Sequence, residues 1–191
     1  MTCLSSTTRM STDHMQHASD PSRTPGESHA ALLDQFVLAA RLAGCDDLMA
    51  TDVHVDLWMP GHHTRAPLRP DSMAVYVFTF GETCLKVGKV GPNSSARFTS
   101  QHYLPGSSRS NLARSLSTVD GWAKVPGAPA LRVDTVGQWI KEHTTRSNFI
   151  LDARIGMPVL NLLEAFLQCR LRPVFEGFQS QRAEPESPLP R

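Results

Sequence analysis

The chain has 191 residues, 40% of them hydrophobic and 19% charged, with a formal net charge of +1 at pH 7. This is enough for one domain with a real core plus extra segments, and the balance fits a soluble globular protein. No apolar run is long enough to span a membrane, and no apolar h-region of a secretory signal stands at the N-terminus. Cys3, Cys45, Cys84 and Cys169 form no Cys-x-x-Cys pair, which argues against a zinc knuckle and fits free thiols in the cytoplasm.

Residues 1–27, rich in Ser, Thr, Met, His and Pro without apolar period, read as disordered. From His29 to about Ala43, Leu32, Leu33, Phe36, Val37, Ala40 and Leu42 recur at helical spacing. Val53 to Trp58 alternates as a short strand, and Pro60 to Pro70 is a turn-rich linker, so residues 28–72 form a helix and linker extension. Met73 to Phe80 is β-branched and aromatic, Gly81-Glu82 makes a turn, and Thr83 to Val87 returns, which predicts a hairpin. Helices are expected over Asn93 to Tyr103, with Asn93 or Ser94 as cap, over Ser110 to Leu116, and over Val133 to His143. Ser147 to Asp152 reads as a strand, Pro158 to about Arg170 as an apolar helix, and residues 179–191 as a flexible tail. The expected fold of residues 73–178 is α+β, a small three-stranded antiparallel sheet flanked by helices.

Charge is unevenly spread. Residues 1–72 hold five Arg and nine Asp or Glu, whereas residues 73–180 hold twelve Lys or Arg and seven acids. No acid occurs from Leu85 to Val119, a stretch with Lys86, Lys89, Arg97, Arg109 and Arg114. Such a one-sided basic segment is a candidate polyanion surface. Gly88-Lys89 is not a nucleotide loop, because Gly81 stands seven residues before Gly88 and Val90 takes the place of the magnesium-binding hydroxyl. His54, Asp56, His62 and His63 are ligand-type residues in a spacing that matches no metal motif. Trp122 and Trp139 suit a core better than a base-stacking platform.

The order of a strand hairpin, an arginine on the next helix and a glutamate on a late helix resembles the GIY-YIG nuclease family. The residues that carry the resemblance are Ala74-Val75-Tyr76, Lys86-Val87-Gly88, Gly88-Lys89, Arg97 and Asn161-Leu162-Leu163-Glu164-Ala165. Ala74 stands where the first signature has Gly. Lys86 stands where the second has Tyr, as in some restriction endonucleases of the family. Glu176 lies near the place of the family's asparagine. The resemblance implies a DNA endonuclease that uses Mg²⁺ or Mn²⁺ and leaves 5′-phosphate and 3′-hydroxyl ends.

The residue chemistry agrees. Phosphodiester hydrolysis needs a base for the attacking water and cations at the developing charge. Glu164 can hold one Mg²⁺ with water completing the shell. Tyr76 and Lys86 lie on adjacent strands, and a lysine beside a phenol favours the phenolate, which makes Tyr76 the expected base; Lys86 itself is the other choice. Arg97 offers a planar fork to phosphate, with Lys89, Arg109 and Arg114 as further substrate contacts and His102 as an additional catalytic candidate. Two rivals stand beside this reading: a nucleic-acid-binding module of the same fold without catalysis, and a protein-interaction domain that uses the helix of residues 28–45. Strandedness, recognition sequence and a homodimer stay undecided at this level.

Overall fold

The computed structural model describes residues 25–175 apart from residues 65, 93 and 108–110. The expected disorder of the N-terminal stretch, the C-terminal tail, Arg109 and Glu176 therefore lie outside the described residues, apart from the start of the first helix. Thirteen short elements follow one another, of which four strands and six α-helices shape the domain.

Helix α1 (Pro25–Leu42) buries Leu33, Phe36, Val37 and Ala40, the i, i+3, i+4, i+7 stripe of an amphipathic helix. Strands β1 (Val53–Trp58), β2 (Ser72–Phe80), β3 (Thr83–Val90) and β4 (Thr145–Asp152) form one sheet in the order β1-β4-β2-β3, every pairing antiparallel. The expectation of three strands is corrected to four. β1 pairs along its whole length with β4, from Val53 opposite Leu151 to Trp58 opposite Arg146. Its alternation was readable in the sequence, but the partner that claims it lies some ninety residues away and leaves no local mark. The stripe Leu33, Phe36, Val37 and Ala40 of α1 packs into this protein's own core, while Leu38 and Leu42 of the same helix are exposed.

The β2–β3 hairpin turns at Gly81, whose φ of +54° suits glycine. A register shift between Phe78 and Thr79 leaves Leu85 as an extra residue on β3, a bulge next to the turn. Because side chains alternate, the sheet has two faces. Met73, Val75, Val77, Val87, Phe149 and Leu151 pack under α1 and under α6 (Met157–Leu171), whose buried residues are Val159, Leu160, Leu163 and Leu167. Tyr76 and Phe78 face the other way, toward α3 (Leu112–Leu116), α5 (Val136–His143) and the 3-10 turn Gln101–Tyr103.

The single helix expected over residues 93–103 is broken in two. Helix α2 (Ser95–Thr99) ends at Ser100, where φ −137° and ψ −32° leave the helical region, and the 3-10 turn follows. The Ser100 hydroxyl bonds back to the Ala96 carbonyl at 3.2 Å, the competition with the helix ladder that serine often offers. The break lets both His102 and Tyr103 turn inward and become buried. Helix α4 (Val119–Trp122), a single turn, was not expected.

Candidate active site

Tyr76 stands opposite Gly88 on β3 and opposite Asn148 on β4. Lys86 stands opposite Phe78, so Tyr76 and Lys86 share a face and are offset by one diagonal step. The far end of the Tyr76 ring lies across Gly88: a Cβ at residue 88 would sit 2.7 Å from Tyr76 Cζ. Gly88 thus lets a large ring from β2 cross the outermost strand. β3 is a sheet edge, so the phenol reaches toward the rim around which α6 approaches from the opposite face.

Burial sets the protonation of this group. Tyr76 is 2% exposed, and desolvation raises its phenol pKa far above the ordinary value, against the opposing pull of Arg97 and Arg146 and with a further push from Glu164. The expected phenolate is therefore corrected: the cations that lower the pKa are Arg97 and Arg146 rather than the expected Lys86, and burial outweighs them. His102 lies against the ring, with centroids 4.4 Å apart at 57°, and is itself 2% exposed. Neither of its ring nitrogens has a hydrogen-bond partner among the described residues. Burial and the charges of Arg146, Lys86 and Arg97 hold its pKa well below the usual histidine value, so it is neutral.

On the other side of β3, Lys89 Nζ donates to Glu164 Oε2 at 2.5 Å. Lys89 points to the face opposite Lys86, as the odd spacing requires, and meets the helix that covers that face. The pair is partly exposed, with side chains 33% and 18% accessible. Glu164 is a lone carboxylate, since no group of three His, Cys, Asp or Glu able to hold a metal occurs among the described residues. That donor set does not fit an all-protein cage. Glu164 could supply one carboxylate to a Mg²⁺ ion whose other ligands are water, and in this structure that carboxylate is paired with Lys89.

Six expected site residues are thus brought together. Tyr76 feels the charges of Arg97 and Glu164, His102 feels those of Lys86 and Arg97, and Lys89 joins the group through Glu164. Arg114 is exposed on α3 and no described contact links it to the cluster. His63 has a structural task instead of a metal: its Nε2 meets the Thr144 carbonyl at 2.7 Å and its Nδ1 meets the Tyr103 hydroxyl at 3.1 Å.

Sequence reasoning missed Arg146. This β4 residue is fully buried beside Tyr76 and forms no salt bridge with the described residues. Its Nε donates to Asn148 Oδ1 at 2.8 Å and one terminal nitrogen donates to the Phe98 carbonyl at 2.8 Å. The guanidinium is boxed by the rings of Trp58, Phe98, Phe78 and Tyr76, at 4.4–5.4 Å from each centroid. Its second terminal nitrogen is buried without a partner among the described residues. The available signal was an arginine inside a strand whose alternation put it among inward-facing residues.

No helix among the described residues is long and apolar enough to cross a membrane. No family model, no curated protein and no solved structure matches this chain.

Proposed function

We propose that this protein is a GIY-YIG-type endonuclease that hydrolyses phosphodiester bonds in DNA with Mg²⁺ or Mn²⁺. The observation that carries the reading is the convergence of Tyr76, Lys86, Arg97, His102 and the Lys89–Glu164 pair on the edge strand β3. Tyr76 and Glu164, the ends of the set, are 88 positions apart in the chain, and each residue is of a type the chemistry needs.

In this reading Arg97, exposed on α2, grips the phosphate through its guanidinium fork. Glu164 holds the metal ion, which supplies charge neutralisation at the phosphate oxygens when bound. With such an ion bound, Lys89 would give up the carboxylate and present its ammonium to the phosphate. Tyr76 or Lys86 takes the proton of the attacking water, and the raised phenol pKa means that Tyr76 works best in alkaline solution. His102, neutral and packed on the ring, fixes the orientation of Tyr76. The products are 5′-phosphate and 3′-hydroxyl ends.

One observation favours a second reading, a nucleic-acid-binding module of the same fold without catalysis. Tyr76 and Lys86 are only 2% and 4% exposed, so substrate reaches them only if the cover formed by α2 and the 3-10 turn shifts. Purified protein incubated with single- and double-stranded DNA in Mg²⁺, Mn²⁺ or EDTA separates the two. Metal-dependent cutting supports the nuclease; salt-sensitive binding without cutting supports the module.

A further inference from the structure

Beside the candidate active site lies a cleft of about 470 Å³. It opens between β1 and the segment after it, over the face of the sheet that carries Tyr76. Trp58, Phe98, Leu68 and Ile150 give it an apolar floor, and Asp56 and Arg69 supply its charges. The volume falls in the range of sites that enclose a small planar ligand.

Its position is tied to the site. Asp56, Asn148, Tyr76 and Gly88 stand opposite one another in a single row across the four strands. Asp56 is two strands from Tyr76, about 10 Å at the usual strand spacing. A chain whose phosphate sits by Tyr76 and Arg97 reaches this cleft with the base of a neighbouring nucleotide.

Asp56 is the residue that reads. Its Oδ2 accepts from Trp58 Nε1 at 2.7 Å, which orients the carboxylate. A fixed carboxylate offers acceptors only. Guanine alone presents two adjacent donors, N1–H and N2–H, on its Watson–Crick edge. Adenine and cytosine place an acceptor beside the donor, and the thymine N3–H lies between two carbonyls. Those edges meet a carboxylate with repulsion.

We propose that the Asp56 cleft is a subsite for the base of an unpaired guanine in nucleic acid, with the carboxylate accepting from N1–H and N2–H. The assignment rests on the nucleic-acid reading given above and narrows it, because a Watson–Crick edge is available only in a single strand or a flipped-out nucleotide.

The test is calorimetric titration of the full chain. The ligands are dGMP, dIMP, dAMP, dCMP and TMP, then an all-thymidine oligonucleotide with and without one guanosine. dGMP should bind about tenfold or more tighter than dAMP, dCMP or TMP, the discrimination of a good bidentate base contact. dIMP, which lacks the N2 amine, should lose most of that advantage. The oligonucleotide with one guanosine should show the same preference, and Asp56→Asn, which keeps an oxygen for Trp58, should erase it. Equal binding of dGMP and dIMP, or an undiminished preference in Asp56→Asn, overturns the assignment even if that variant is unstable, because the dIMP comparison uses the native chain. A dGMP preference absent from the oligonucleotides overturns the nucleic-acid source. Guanine preference without cleavage of any DNA removes the nuclease reading and leaves the subsite; cleavage without guanine preference does the reverse.

Discussion

The ring of Tyr76 lies across Gly88 on the neighbouring edge strand, so close that even a methyl group at residue 88 would collide with it. Gly88→Ala should therefore destabilise the fold by about 1–3 kcal/mol, the usual cost of forcing atoms into a packed site. Tyr76→Ala should remove most of that cost, because it takes away the ring that the new methyl meets. Urea denaturation of the two single variants and the double variant measures the coupling, and strictly additive effects would contradict the contact.

His102 fixes a pH dependence of stability. Its folded pKa lies well below 6.5, so between those values the unfolded chain takes up a proton that the folded chain refuses. Its contribution is complete above about pH 6.5 and declines as pH falls, by at most about 1.4 kcal/mol per pH unit. His102→Leu should flatten the fall in urea midpoint between pH 7 and pH 5. Some slope should persist, because burial also lowers the pKa of His29 and His63. An unchanged slope would mean that His102 is solvated.

The edges of the account mark what sequence can carry. The stripe Leu33, Phe36, Val37, Ala40, the Gly81 turn and the apolar run from Pro158 are local patterns, and the structure has elements at each. The fourth strand's place is not local, because only pairing with β4 assigns it. The Lys89–Glu164 pair spans 75 residues and exists because α6 covers that face of β3. The sign of the Tyr76 pKa was misjudged for a related reason: a charged neighbour is visible in a hairpin register, whereas the depth of burial under the 3-10 turn depends on a helix that breaks at Ser100.

Phosphate contacts should appear in the salt dependence of DNA binding. Lys89→Ala and Arg97→Ala should each lower the log–log slope by about 0.9 if each touches one phosphate of duplex DNA. If only Arg114→Ala moves the slope, the interface runs along α3 and not along the rim of β3.

The identity of the base is read from pH. With the phenol pKa raised by burial, a phenolate base predicts a cleavage rate that still climbs above pH 9. Tyr76→Phe should then lose about 10²–10⁴-fold in rate. A plateau by pH 8, with Tyr76→Phe active and Lys86→Met dead, would assign the proton to Lys86.

The most direct measurement compares wild type with Glu164→Gln on single- and double-stranded DNA in the presence of Mg²⁺, Mn²⁺ or EDTA. The glutamine keeps the shape of the side chain and loses the charge that holds the cation. Its fold should be nearly unchanged, because the partly exposed pair with Lys89 contributes about 0–1 kcal/mol. The account predicts that wild type cuts DNA with either metal, leaves ligatable 5′-phosphate ends and stops in EDTA. Glu164→Gln should bind DNA and fail to cut it. A well-folded Glu164→Gln protein that cuts at the wild-type rate, or a wild type that cuts neither form of DNA with either metal, would contradict it.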